Sequence, residues 1–120
     1  IMLYLIGIPN CNKIKDTRSW LEEKGITYEF VHVKKEPLSK DEISDLAYKV
    51  GVDVLVNTRG TTYRKLEIKD KYLNDEELLE LLHEHQSMLK RPILVLEESV
   101  LVGFDEEAFE QFAKQHELLD

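Results

Sequence analysis

The chain has 120 residues, and its 16 Lys and Arg against 24 Asp and Glu give a formal net charge of −8 at pH 7. This sign repels both the phosphate backbone of nucleic acid and anionic lipid, so direct DNA or RNA binding and a membrane role are disfavoured. The length fits one domain with its own core, and we expect a single domain over residues 2–120.

Cys11 is the one cysteine of the sequence. A lone cysteine can form neither a disulfide within the chain nor a cysteine-rich zinc site, which points to a reducing compartment. No run is long or apolar enough to span a bilayer, and the N-terminus lacks the pattern of a signal peptide. We therefore expect a cytoplasmic monomer with no bound metal.

The first third of the chain predicts a strand, a helix and a second strand. Residues 2–8 are mostly apolar and lead into a turn, after which Cys11 opens a helix that Gly25 closes. Apolar residues recur at helical spacing within it, and we expect Trp20 in the core. Residues 26–33 alternate as a second strand. Such a strand-helix-strand unit normally places its two strands side by side and parallel.

Two helices are predicted in the middle of the chain by their capping signatures. Ser39 with Glu42, and Asn74 with Glu77, each form the pattern of a capping box. The second helix is expected to continue to His85, and the first to end at Gly51. Four positions make up the predicted buried stripe of the first helix: Ile43, Leu46, Ala47 and Val50.

The last third predicts a hairpin followed by a helix. Residues 93–96 and 100–103 are apolar runs joined by a short turn, which is typical of a β-hairpin, and Asp105 then caps a helix. The order of elements predicts an α/β fold in which helices pack on a four-stranded mixed sheet. Its first two strands should be parallel and its last two antiparallel.

Cys11 lies where the first strand gives way to a helix. The N–H groups at a helix N-terminus carry partial positive charge that lowers the pKa of a thiol there, and Lys13 and Lys15 act in the same direction. The alternative is a small buried cysteine without reactivity. Cys11 follows Pro and Asn rather than an apolar run, so we expect partial exposure, and position alone leaves both interpretations open.

The histidines do not predict a metal site. His83 and His85 are two residues apart on a predicted helix, so their side chains point to different faces and cannot share an ion. His32 and His116 are isolated in the sequence.

Four segments together resemble the arsenate reductase/Spx family. They are Cys11 at the first strand-helix junction, Asn-Thr-Arg-Gly-Thr-Thr at 57–62, Lys-Arg-Pro-Ile at 90–93 and Leu-Val-Gly-Phe at 101–104. The resemblance extends over almost the whole chain. It implies a thioredoxin-like fold with a helical insertion between the strand-helix-strand unit and the C-terminal strand-strand-helix unit.

The match to arsenate-reducing members of the family is incomplete. Those members use one cysteine nucleophile and three arginines that hold the oxyanion, and Cys11, Arg59 and Arg91 match the nucleophile and two of the arginines. No arginine follows Arg91, and the family's Gly-Thr-Ser-Arg run after the cysteine is replaced by residues 12–15, Asn-Lys-Ile-Lys. Arsenate is therefore not expected to be the main substrate.

Similarity to the Spx regulators gives a second hypothesis. Those proteins bind the C-terminal domain of the RNA polymerase α subunit, and many sense oxidation through a C-x-x-C switch. Here the second position of the switch is Ile14, so no internal redox disulfide can form. Polymerase binding without redox control remains the alternative.

The preferred hypothesis is a glutaredoxin-like oxidoreductase with one nucleophilic cysteine, Cys11. A mixed disulfide on Cys11 has no internal resolving thiol, so glutathione or another small cellular thiol is expected as co-substrate, with no bound cofactor. By resemblance Pro92 is expected to be cis and to face the cysteine. Lys13, Arg59 and Arg91 would give the pocket its preference for anions.

Overall fold

The computed structural model describes residues 1–119 and divides the chain into two compact units. The first unit consists of residues 1–32 and 91–119, and the second of residues 33–90. The first contains β1 (Leu3–Gly7), α1 (Asn12–Glu23), β2 (Tyr28–His32), β3 (Ile93–Leu96), β4 (Ser99–Val102) and α6 (Glu106–Gln115). The second contains α2 (Lys40–Val50), α3 (Val52–Leu55), α4 (Thr61–Lys65) and α5 (Asp75–Glu84), with short 3-10 helices at Ile68–Asp70 and Gln86–Met88.

The sheet of the first unit has the strand order β2-β1-β3-β4. β1 and β2 are parallel, whereas β3 is antiparallel to both β1 and β4. In the register, Leu5 lies beside Phe30 on one side and beside Leu94 on the other. This confirms the predicted four-stranded mixed sheet, including the parallel first pair and the C-terminal hairpin.

The core of the first unit lies between the sheet and two helices on one of its faces. Leu3 and Leu5 of β1 point to this face because alternate residues of a strand share a side, and both are fully buried. Trp20 of α1 meets Phe109 of α6 edge to face, with ring centroids 5.5 Å apart. Trp20 is therefore a core residue, as predicted, and the buried side chain of Ile14 packs the start of α1 into the same core.

The second unit is helical. Lys40 of α2 forms ion pairs with Glu76 and Glu80 of α5, and the pair with Glu76 is 3.3 Å long. The side-chain amide of Gln86 accepts from the backbone N–H of Leu38 and donates to its carbonyl, both at 2.8 Å. These bonds hold the segment before α2 to the segment after α5.

Both predicted capping boxes are present. The Ser39 side chain accepts from the Glu42 backbone N–H at 3.1 Å, and the Asn74 side chain accepts from that of Glu77 at 2.8 Å. Each glutamate side chain in turn accepts a hydrogen bond from the backbone N–H of the capping residue. The start of α2 and of α5 is therefore fixed by the residues that the sequence indicates.

The structure corrects two predictions for the helices of the second unit. Ile43 and Leu46 of the predicted stripe are buried, but Ala47 and Val50 are half-exposed, because periodicity fixes the face of a helix and not how far that face is covered. The helix predicted to reach His85 ends at Glu84, since the backbone of His85, with φ −127° and ψ 74°, leaves the helical region. No helix of residues 1–119 combines the length and the apolar character that a membrane span needs.

Candidate functional site

Cys11 occupies the N-cap position of α1. Its backbone is extended, with φ −112° and ψ 129°, while its carbonyl accepts the first helical hydrogen bond, from the N–H of Lys15 at 3.0 Å. The side chain is half-exposed. The loop after β1 and the start of α1 therefore present the thiol to solvent at the positive end of a twelve-residue helix.

Groups of the first unit favour the charged form of the Cys11 thiol. Burial on its own raises the pKa of Cys11, but the backbone N–H of Ile14, the side chain of Arg91 and the backbone N–H of Lys13 outweigh it. The net result is a pKa below the ordinary value for a cysteine. The thiol makes no capping hydrogen bond to the helix, so these N–H groups act chiefly on the thiolate.

Arg91 is the cation beside the thiol. It directly precedes the buried Pro92, the peptide bond between the two is cis, as expected from the resemblance, and the Pro92 carbonyl accepts from the N–H of Gly103 at 2.8 Å. The Nε atom of Arg91 is buried, whereas the residue as a whole is half-exposed. A hydrogen bond and the positive charge of its side chain both lower the pKa of Cys11.

Lys13 contributes differently from what the sequence indicates. Its side chain is exposed, and it stabilises the thiolate through its backbone N–H. The cationic side chain that lowers the pKa of Cys11 belongs to Arg91. A role of the Lys13 ammonium group in attracting an anionic substrate stays a prediction.

Arg59 lies in the second unit. Its side chain is exposed, and its backbone N–H donates to Oδ1 of Asn57 at 3.2 Å. The N–H of Gly60 donates to the Asn57 carbonyl, also at 3.2 Å, which makes residues 57–60 a turn that leads into α4. Anion binding by Arg59 stays a prediction from the sequence. Among residues 1–119, no three His, Cys, Asp or Glu side chains are grouped in a way that could hold a metal ion.

Sequence reasoning missed two features of the site. The backbone N–H of Ile14 is the strongest influence that lowers the pKa of Cys11, although the sequence marks Ile14 only as the residue that replaces the second switch cysteine. Gly7, at the end of β1, lies in contact with the side chain of Ile14. A glycine that ends a strand just before a turn can indicate such a close contact, but turns contain glycine for many other reasons.

Comparison with known proteins identifies the family. Residues 6–112 match the sequence profile of the ArsC family. The chain belongs to the ArsC family. The predicted resemblance is thereby confirmed, and the fold is thioredoxin-like, as solved members of the ArsC family also have it.

Relatives of this ArsC-family chain match it over most of its length. The uncharacterised protein YusI of Bacillus subtilis is 37% identical over 107 residues, which cover 86% of this chain and 91% of YusI. The global transcriptional regulator Spx of Listeria innocua is 34% identical over 113 residues, 92% of this chain and 86% of that protein. Among solved structures, the YFFB protein superimposes with a TM-score of 0.87 at 32% identity, covering 92% of this chain and 97% of its own.

Proposed function

We propose that this ArsC-family protein is a glutaredoxin-like, thiol-dependent oxidoreductase whose single nucleophile is Cys11. The observation that carries the proposal is the half-exposed Cys11 thiol at the start of α1, with its pKa lowered against the effect of burial by Ile14, Arg91 and Lys13. The thiolate, and not the thiol, is the nucleophile in disulfide exchange. A cysteine with a lowered pKa that is open to solvent is suited to this reaction.

The reaction has two balanced steps. The Cys11 thiolate attacks the glutathione sulfur of a mixed disulfide, a bond forms between Cys11 and glutathione, and the substrate sulfur leaves as a thiolate that takes a proton from water. A second glutathione, as its thiolate, then attacks the glutathione sulfur on Cys11. This step releases oxidised glutathione and regenerates the Cys11 thiolate. Overall, the mixed disulfide is reduced by two electrons to the substrate thiol. The glutathione from the mixed disulfide and the second glutathione leave together as oxidised glutathione.

The need for an external thiol follows from the sequence. Cys11 is the only cysteine, so a mixed disulfide on it cannot be resolved within the chain. Glutathione or another low-molecular-weight thiol supplies the second thiolate in this proposal, and no resident cofactor takes part. Such a thiol pool is characteristic of the cytoplasm, which is the location we propose.

Positive charge guides the choice of substrate. The Arg91 guanidinium at the thiol favours a substrate with a carboxylate or other anion near its sulfur, and we propose that Lys13 adds to this preference. Glutathione carries two carboxylates and fits this requirement. Arsenate is not proposed as the main substrate, because no arginine follows Arg91 in the chain.

Turnover of a glutathione mixed disulfide tests the proposal. The native protein should reduce a glutathionylated peptide with glutathione as electron donor, and mass spectrometry should find one glutathione on Cys11 when the donor is limiting. Cys11→Ser should abolish both signals while the folded state, monitored by the fluorescence of Trp20, is retained. A native protein that neither turns over nor accepts glutathione would refute the proposal.

A second candidate function comes from the relationship to Spx. The 34% identity to the Listeria innocua transcriptional regulator over 92% of this chain favours a protein that binds the C-terminal domain of the RNA polymerase α subunit. Such a protein would bind the purified α C-terminal domain, and binding would survive Cys11→Ala because no C-x-x-C switch is present. Binding that survives this substitution, in a protein without turnover, would favour the regulator over the enzyme.

A further inference from the structure

Gly7 is buried at the end of β1, where the side chains of two residues converge. A Cβ atom placed on Gly7 would lie 2.2 Å from Cδ1 and 2.8 Å from Cγ1 of Ile14. It would also lie 3.9 Å from Cδ of Arg91, which is ordinary van der Waals contact. The side chain of Ile14 therefore fills the space that any other residue at position 7 would occupy.

The requirement for glycine at this position is one of space. Gly7 lies within β1, paired with His32 in the parallel register, and its backbone is not in the left-handed region, unlike that of Gly25, Gly51 and Gly103. An alanine at position 7 would adopt the same backbone conformation without strain. Only the contact with Ile14 opposes it.

We propose that Gly7 is a positioning residue for the Cys11 thiol, because its missing side chain lets the first turn of α1 lie close enough to β1 to bring the Ile14 N–H to the sulfur. The stem of Arg91 packs over the same glycine. Gly7 therefore lies against the residue whose backbone N–H contributes most to stabilising the thiolate. This inference rests on the proposed oxidoreductase function and names a residue that positions its nucleophile.

Ile14 has little room to avoid a new methyl group. Its side chain is completely buried and belongs to the core with Leu5 and Leu94. Closely packed interiors respond to an added carbon with shifts of backbone as well as side chains. Relief of a 2.2 Å contact should therefore move the first turn of α1 away from β1 and its N–H away from the sulfur.

The test compares the pH midpoint of Cys11 alkylation by iodoacetamide in matched variants. Gly7→Ala should raise the midpoint, and at a pH below both midpoints it should lower the thiolate fraction by about tenfold, the effect of losing one hydrogen bond to a charged group. Gly25→Ala is the control at the other end of α1. It strains the backbone at φ +71° without touching another side chain, so it should lower stability and leave the midpoint unchanged.

A compensating substitution separates the steric route from general damage. Gly7→Ala/Ile14→Val adds one carbon and removes Cδ1, the atom nearest to the new Cβ, while Cγ1 remains at 2.8 Å. The rise in midpoint from Ile14→Val to the double variant should be smaller than the rise from native protein to Gly7→Ala. If Gly7→Ala does not fold, the double variant carries the test through its higher midpoint relative to Ile14→Val.

The outcomes separate this inference from the proposed function. Equal midpoints for the folded Gly7→Ala and native proteins would overturn the positioning role even if turnover is normal. Where Gly7→Ala does not fold, equal midpoints for the double variant and Ile14→Val would overturn it. Midpoints that rank as predicted in a protein without turnover would support the positioning role and refute the oxidoreductase. The native midpoint and the glutathione assay test the function, whereas the differences between variants test Gly7.

Discussion

The side chain of Arg91 lowers the pKa of the Cys11 thiol through hydrogen bonding and charge, although the two residues are far apart in the sequence. The sheet explains how they meet. β1 and β3 are antiparallel neighbours, with Ile6 beside Ile93, so the segment that leaves β1 and the segment that enters β3 lie at one end of the sheet. Cys11 follows the first segment and Arg91 belongs to the second, and the pairing of the strands thus places a guanidinium at the thiol.

Removal of the Arg91 guanidinium should make the Cys11 thiol less acidic. Arg91→Met takes away both a hydrogen bond and a positive charge, so the pKa of Cys11 should rise, and at a pH below both midpoints the thiolate fraction should fall by about tenfold. The pH profile of alkylation measures this. Arg18→Met is the control: it removes the same charge from the first unit at a guanidinium stacked 4.7 Å from the Phe30 ring centroid. Equal midpoints for Arg91→Met and native protein would contradict the assignment.

Two substitutions of Lys13 should separate its side chain from its backbone. Lys13→Pro removes the N–H that stabilises the thiolate in the first helical turn, where proline is tolerated, and should raise the pKa of Cys11. Lys13→Met removes only the exposed ammonium group and should have the smaller effect. The same alkylation profile compares them, with helix content checked by circular dichroism. A larger effect of Lys13→Met would show that the side-chain charge dominates.

The lowered pKa of Cys11 should appear as a pH dependence of stability. Between the folded and unfolded pKa values the unfolded chain carries the proton and the folded protein does not, so stability rises with pH through this window. The contribution is complete above the unfolded value, about 8.5, and is lost as pH falls through the folded value. Native protein should therefore gain stability relative to Cys11→Ser as pH rises. Urea unfolding at several pH values measures the difference, and parallel curves would contradict it.

The cap of α2 should contribute measurably to stability. Ser39→Ala removes the oxygen that accepts from Glu42, and the free energy of unfolding should fall by about 1 kcal/mol. Ser39→Asp keeps an acceptor at the same position and should retain most of the stability. Urea unfolding of native protein, Ser39→Ala and Ser39→Asp measures the three free energies of unfolding. A loss in Ser39→Asp as large as in Ser39→Ala would show that the side-chain acceptor is not what stabilises α2.

Features set by local sequence were predictable. Apolar runs predicted β1, β3 and β4, and alternation of apolar residues predicted β2. The capping boxes at Ser39 and Asn74 predicted the starts of α2 and α5. The parallel pairing of β1 with β2 followed from the helix that connects them. In contrast, α3 and α4 have four and five residues, too few for a helical period to be visible in the sequence.

The site was predictable only in part, because its chemistry depends on contacts between distant parts of the chain. The position of Cys11 at the start of a helix is local, and the sequence indicates it. The contact of Arg91 with Cys11 requires the pairing of β1 with β3, so sequence pointed to Arg91 only through its resemblance to a family. The demand for glycine at position 7 depends on the distance to Ile14, which no pattern of residue types contains.

The most direct measurement is the pH profile of iodoacetamide alkylation of Cys11 in the native protein. We predict a single midpoint below the value of about 8.5 for a free cysteine, because the Ile14 N–H, the Arg91 side chain and the Lys13 N–H together outweigh burial. A midpoint at or above the free value would contradict the account. It would leave an ArsC-family scaffold whose cysteine is not activated.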